Sequence, residues 1–461
     1  MKVEEYKSYD ALGLASLVKS REVSAEELLK IALSLAKEDK DNNNAIASVN
    51  VELANQKLNQ KSRGIFEGVP FLYKELMPCP GLVSAMGSRL FAQYIPHEAT
   101  TYTNKIDESG LITIGNTTSS EFGLLGSTET LLHGKTKNPW KEGISAAGSS
   151  GGSAAAVASG ITPLAHASDA GGSIRIPASV CGLFGFKPSV GRCLPANDQR
   201  NGFSQLISEH CISKTVRDSA AYLSVTETNK YSNIGYVRPT ELGKLRIGVY
   251  KETLIDTTPT SEIAFSMTDT IKLLEELGHD VIEIHRPEVN GKELSKSFFT
   301  IAGNMMMQVV AFTESMINRK VNENDIEPFT NSLIEWARTL EPNAMKQAIT
   351  FMEAASVAIN SVSEKYDVLL SPVLADVPKE LGYLSPTLPF EELIVRIENY
   401  VGYTPIHNIS GMCAMSVPLN LSSEGLPLGS HFAAKPGDDE LLFQLAYQLE
   451  NANPWIDRLF I

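Results

Sequence analysis

Short apolar runs alternate with stretches of helical periodicity along most of this chain, and that alternation restricts the fold more than any other feature. The clearest unit is at 245–285. Leu-Arg-Ile-Gly-Val-Tyr at 245–250 reads as a strand, 261–277 as a helix and 281–285 as a second strand, which together predict a β-α-β unit. Leu12, Leu14, Leu17 and Val18, then Leu28, Leu29, Ile31, Ala32 and Leu35, recur at helical spacing within 8–38, and Ser24 followed by Glu27 is a capping-box start. Val69–Tyr73 is a short apolar run ending at Lys74. From about 105 to 220 short apolar strands are broken by glycines and serines. Residues 292–362 read mainly as helix, Tyr366–Pro372 as strand, 411–434 as short strands and 438–450 as a closing amphipathic helix. Strands alternating with helices bury themselves in a sheet covered by those helices, so the fold class is α/β. There is no internal repeat and no low-complexity linker.

With 461 residues, 43% hydrophobic and 20% charged, the chain can build one large core. A net charge of −14 argues against a nucleic-acid surface, which needs clustered Lys and Arg. Cys79, Cys181, Cys193, Cys211 and Cys413 are scattered and lack CxxC pairs, so reduced thiols are expected rather than a disulfide framework. The first residues lack a basic stretch followed by an apolar one, and no apolar run reaches about 18 residues, so a cytoplasmic protein without a membrane span is expected. No H-E-x-x-H or other His/Cys/carboxylate cluster occurs, so no metal and no other cofactor is implied.

Two glycine-serine segments stand out. Ala147-Gly-Ser-Ser-Gly-Gly-Ser153 opens an alanine-rich stretch closed by Gly160, the pattern of a turn entering a helix. Such a start offers free backbone N–H groups to an anion, although composition alone also fits a flexible loop, and no phosphate-binding motif is present. Ser168-Asp-Ala-Gly-Gly-Ser-Ile-Arg-Ile-Pro177 follows a strand-like Leu164–Ala167, with Pro177 suited to begin a helix. A strand leading through glycines to a serine has the logic of a nucleophile elbow, and a tight turn with a capping serine accounts for it equally well.

Taken together, Gly68-Val-Pro-Phe-Leu-Tyr-Lys74, Ser149-Ser-Gly-Gly-Ser153, Asp169-Ala-Gly-Gly-Ser-Ile-Arg175 and Gly185-Phe-Lys-Pro188 resemble the amidase signature family in residues and spacing. Thr215-Val-Arg-Asp218, Tyr366–Pro372 and Gly425-Leu-Pro-Leu-Gly429 fall where that family has similar elements. The segment 165–179 is closest in flavour to bacterial amidases of the 6-aminohexanoate cyclic dimer hydrolase kind. The resemblance implies a single large domain, 1–461, with a central mixed, twisted β-sheet covered by helices. Within it, 1–60 would be N-terminal helices, 61–230 the catalytic core and 231–461 the half that completes the sheet and lines the pocket. It implies hydrolysis of a carboxylic amide C–N bond, other than a peptide bond, through an acyl-enzyme. Ser173 would be the nucleophile, Ser149 a bridging serine on a cis peptide bond and Lys74 the general base. Backbone N–H groups of Ala170, Gly171, Gly172 and Ser173 would hold the oxyanion, with Gly123–Leu125 lining the acyl pocket. The chain departs from the family at Ala147 and Ala170, both small, and at Thr117-Thr118, where a Thr-Asn pair is common.

That chemistry makes one demand on Lys74. It serves as a base only when neutral, and bringing its pKa from ~10.4 to near ~8 takes roughly 3 kcal/mol of selective destabilisation of the cation. Burial behind Val69–Tyr73 would supply it. Asp169 and Arg175 read as a loop-holding ion pair, His166 as a scaffold hydrogen-bonder, and the Met305–Met307 run as core rather than pocket lining. The implied partner is a small-molecule amide, with neither nucleic acid nor membrane, and a homodimer is left open. The rival reading is the A subunit of a tRNA-dependent amidotransferase, a glutaminase that works within a complex.

Overall fold

The computed structural model describes residues 1–60, 63–197 and 206–459. Its strands are β1 (Ile46–Val49), β2 (Pro70–Lys74), β3 (Ile112–Thr117), β4 (Glu129–Thr130), β5 (Gly134–Lys135), β6 (Leu164–Asp169), β7 (Phe184–Lys187), β8 (Ser208–Ser213), β9 (Arg246–Val249), β10 (Asp280–Glu283), β11 (Val368–Pro372), β12 (Cys413–Leu421) and β13 (Pro427–Ala434). Strands β4 and β5 form a small separate hairpin. The rest form one eleven-stranded sheet in the order β1-β3-β2-β6-β8-β7-β12-β13-β11-β9-β10. The sheet is mixed. Strands β3, β2 and β6 run parallel, as do β11, β9 and β10, and antiparallel pairs join the two groups. The expected α/β domain with a mixed sheet flanked by helices is the one observed.

Local chemistry explains the elements that frame the site. Strand β2 is buried at every residue, as expected for a central parallel strand whose two faces are covered. The parallel run of β3, β2 and β6 brings the ends of those strands, Thr117, Lys74 and Asp169, to the same edge of the sheet, where open α/β sheets form their clefts. The helix Gly151–Ala158 is wholly buried, and only small residues allow it. A Cβ on Gly152 would lie 2.4 Å from the Thr118 carbonyl oxygen, so the helix backbone rests directly on the chain leaving β3.

The capping box is present: Glu27 N–H donates to Ser24 Oγ at 3.1 Å, and Ser24 N–H to the Glu27 carboxylate at 2.9 Å. The β-α-β unit forms as parallel strands β9 and β10 around the helix Ser261–Glu276. Some boundaries differ from expectation, and the segment 1–60, expected as helices, also gives the sheet its strand β1. The helix carrying Pro177 begins at Arg175, because the Asp169 carboxylate accepts the N–H groups of Ile174 and Arg175 and so caps it earlier. All five cysteines are buried, and no disulfide joins them among the described residues. Among the described residues no helix is long and apolar enough to cross a membrane.

Candidate active site

Lys74 ends β2 with its side chain 0% exposed. Its Nζ donates to Ser149 Oγ at 2.7 Å and to Ser168 Oγ at 3.1 Å. Burial lowers its pKa from the ordinary lysine range to about 7, against the raising effect of Glu209, Asp169 and Glu75. Near neutral pH this amine is therefore poised between its charged and neutral forms. Ser149 follows a cis Gly148–Ser149 peptide bond, preceded by Ala147 at φ 56°. Thr128 holds this turn: its Oγ1 donates to the Ala147 carbonyl at 2.8 Å and accepts from Gly151 N–H at 3.0 Å.

The second glycine-serine segment forms the facing turn. Gly172 N–H donates to Asp169 Oδ1 at 2.7 Å, and Arg175 clasps the same carboxylate with Nε at 3.0 Å and Nη2 at 2.9 Å. Burial pushes the Asp169 carboxyl up, but the Arg175 guanidinium, with Lys187 and the Asn408 amide, more than offsets this and holds it below the ordinary carboxylate range. Asn408 adds donations from Nδ2 to the Asp169 carbonyl at 2.8 Å and to Oδ1 at 3.0 Å, and Thr404 Oγ1 donates to the Gly171 carbonyl at 2.7 Å. Arg175 Nη1 donates to His431 Nε2 at 2.9 Å. Arginine cannot accept, so His431 carries its proton on Nδ1, facing Ser371 Oγ at 3.0 Å. Asp169 and Arg175 are thus the loop-holding pair read from the sequence.

This clasp changes the expected oxyanion set. The Gly172 N–H is taken by Asp169 and does not face the cleft. Among the described residues no acceptor engages the N–H groups of Ala170, Gly171 or Ser173, which leaves those three available. Gly172 itself sits at φ 127°, and a Cβ there would lie 2.3 Å from Thr404 Oγ1, whose hydroxyl is committed to Gly171. Gly172→Ala is expected to cost about 1–3 kcal/mol of stability and to depress kcat as the turn shifts. Thermal unfolding and kinetics on the purified variant measure both, and an unchanged melting temperature would contradict the rigidity assigned to this turn.

Ser149, Ser168 and Ser173 line one cavity of about 180 Å³. The rest of its lining is mostly apolar and includes Phe122–Leu125, Phe298, Ile397, Val401 and Ile406. Gly123, at φ 73°, lies where an added Cβ would be 3.4 Å from Ser149 Oγ. The methionine run divides: Met305 lines the cavity while Met306 packs in the core, because successive helical residues point about 100° apart.

His166 is part of the scaffold. Its Nδ1 accepts the Lys74 backbone N–H at 3.4 Å, so its Nε2 carries the proton and donates to Glu209 at 3.1 Å. The Thr117-Thr118 departure is absorbed locally: Thr117 Oγ1 lies 2.8 Å from Ser153 Oγ, and Thr118 Oγ1 lies 2.8 Å from Thr136 Oγ1. Sequence reasoning did not find Ser168, Thr404, Asn408 or the pocket-lining helix Phe390–Tyr400. For the helix a signal existed in Leu393, Ile394, Ile397 and Val401 at helical spacing. For Asn408 none did, since its partner lies 239 residues away.

The comparisons agree with this architecture. AmiC of Mycobacterium tuberculosis is 31% identical over 97% of this chain and 95% of its own. The 6-aminohexanoate-cyclic-dimer hydrolase of Pseudomonas sp. (strain NK87) is 30% identical over 97% and 96%. The solved structure of 6-aminohexanoate cyclic dimer hydrolase complexed with substrate superposes with a TM-score of 0.90 at 28% identity, covering 98% of both chains. The Amidase family model matches residues 27–443, and with the mixed sheet and the serine-lined cleft this makes the chain a member of the amidase signature family, an amide hydrolase acting on non-peptide C–N bonds.

Proposed function

We propose that the chain hydrolyses a small-molecule amide with Ser173 as nucleophile and Ser149–Lys74 as its proton relay. The observation that carries this reading is the 2.7 Å contact between the buried Lys74 Nζ and Ser149 Oγ, on the wall of the cavity that Ser173 also lines. In the active form Lys74 is neutral. As Ser173 Oγ bonds to the carbonyl carbon, its proton passes to Ser149 Oγ, whose own proton passes to Lys74 Nζ. The carbonyl oxygen becomes an oxyanion received by the N–H groups of Ala170, Gly171 and Ser173. When the C–N bond breaks, the proton returns through Ser149 to the leaving amine, and Lys74 is neutral again. Water then attacks the acyl-enzyme by the same relay and releases the acid. Asp169 and Arg175 take no proton in these steps and act by holding the turn that carries Ser173.

A fluorophosphonate is expected to form one adduct, on Ser173, with complete loss of amidase activity, as intact mass and peptide mapping would show. An adduct on a different serine with the same loss would overturn the assignment. The isolated chain is expected to turn over simple amides without partner subunits. A requirement for co-purified partners would instead favour an amidotransferase A subunit.

A further inference from the structure

The cavity beside Ser173 is walled by leucine, isoleucine, valine, phenylalanine and methionine, and one ionisable side chain lies among them. Glu398, half-buried on the helix Phe390–Tyr400, is the only charged residue lining it among the described residues. Its helix deals with its other charges differently. Glu391 and Glu392 are exposed, and Glu392 pairs with Arg396. Glu398 has neither an ion-pair nor a hydrogen-bond partner among the described residues. Ile397, beside it on the same helix, and Val401, just past the helix end, are apolar, and Ser295 on the helix Gly291–Ile317 adds a hydroxyl to the lining.

A carboxylate on an apolar wall loses hydration once a ligand fills the cavity, and that loss is offset only if the ligand brings an opposite charge. We infer that the preferred substrates carry an apolar acyl chain ending in an ammonium group, with Glu398 receiving the cation and the aliphatic walls receiving the chain. This deepens the reading of Ser173 as acyl acceptor and rests on it for which half of the substrate occupies the cavity. The acyl group stays bonded to the serine after the amine departs, so it is the half that gains from a closed apolar site. An acyl chain ending in a carboxylate meets a like charge and is disfavoured.

The test is a ranking. For purified wild-type protein, kcat/KM is measured for three p-nitroanilides of matched length: ω-aminoacyl, plain alkanoyl and ω-carboxyacyl. The expected order is amino above plain above carboxy, with about a tenfold step between amino and plain. Glu398→Gln is expected to bring the amino-to-plain ratio close to one, and Glu398→Lys to reverse the amino-carboxy order. Binding of n-hexylammonium and n-hexanol by calorimetry repeats the comparison without turnover, with the ammonium tighter in wild type and the difference lost in Glu398→Gln. A wild-type ratio near one in both measurements, or a ratio unchanged in Glu398→Gln, overturns the inference. Fluorophosphonate labelling of Ser173 in the same samples separates the two readings. Labelling without the cation preference faults the inference, whereas the preference without labelling faults the nucleophile.

Discussion

Replacing Lys74 with alanine is expected to remove on the order of 10²–10⁴ of kcat while leaving the fold intact. Three buried lysines could in principle titrate near neutrality, because burial lowers Lys74 to about 7 and both Lys187 and Lys214 to about 8. Lys187 Nζ donates to the Pro188 carbonyl, and Lys214 Nζ to the carbonyls of Lys7 and Tyr9. Lys74 instead reaches the serine hydroxyls of Ser149 and Ser168. A base must be neutral to accept a proton, so wild-type kcat/KM should rise with pH through about 7 and level off above it, and Lys74→Ala should lack that limb. Because the relay fails when any link is missing, Ser149→Ala and Ser173→Ala should each lose most of kcat as well. The Lys74→Ala/Ser149→Ala double variant should then be little worse than the worse single. The residual rate reflects the oxyanion N–H groups and substrate positioning, which none of these changes touch. Rates against pH for wild type, three singles and one double, with circular dichroism as the folding check, decide the matter. Near-wild-type kcat in Lys74→Ala, or losses that multiply in the double, would rule the relay out. His166 could not readily replace the lysine, since both its ring nitrogens are engaged by the scaffold.

The parts of this molecule that could be read from sequence are those whose cause is local. The β-α-β unit at Arg246–Glu283, the Ser24–Glu27 cap and the small-residue helix after Ser150 each rest on spacing within a few residues, and each formed as expected. Lys74, Ser149 and Ser173 stand out as candidates because they sit in short motifs whose neighbours serve the same turn. Thr404 and Asn408 show why other residues stayed hidden. They hold the Gly171–Gly172 turn from the far end of the chain, and nothing near them in sequence reports that partner. The engagement of the Gly172 N–H by Asp169 stayed hidden for a related reason. Glycines show that the backbone can approach an oxygen, but which oxygen depends on Asp169 being turned inward by Arg175. Ser168 illustrates a third case, since on β6 its hydroxyl acquires meaning only once β2 lies alongside and presents Lys74.

Arg175→Met is expected to be among the most destabilising single changes in the protein, costing about 3–5 kcal/mol, because it leaves the Asp169 carboxylate buried and uncompensated. The sign of its pH dependence follows from the charge left behind. In wild type the guanidinium holds the folded-state pKa of Asp169 below its unfolded value, so the pair adds stability above pH ~3.9 that is lost only in acid. Without Arg175, burial dominates and the folded pKa rises above the unfolded one. The variant then loses stability as pH climbs from ~3.9 toward that raised value, so its deficit against wild type should be larger at pH 8 than at pH 5. Denaturant midpoints at the two pH values measure this. Asp169→Asn combined with Arg175→Met removes the stranded charge and should recover part of the loss, a coupling of about 0.5–3 kcal/mol. Full recovery is not expected. An amide has one acceptor oxygen where the carboxylate uses two, one for Gly172 N–H and the other for Ile174 and Arg175 N–H. The double variant should therefore refold to a stable protein with a loosened turn, its kcat remaining low because the turn that carries Ser173 is no longer held. Strictly additive losses, or a double variant with wild-type kcat, would mean that Thr404 and Asn408 hold the turn and the ion pair does not.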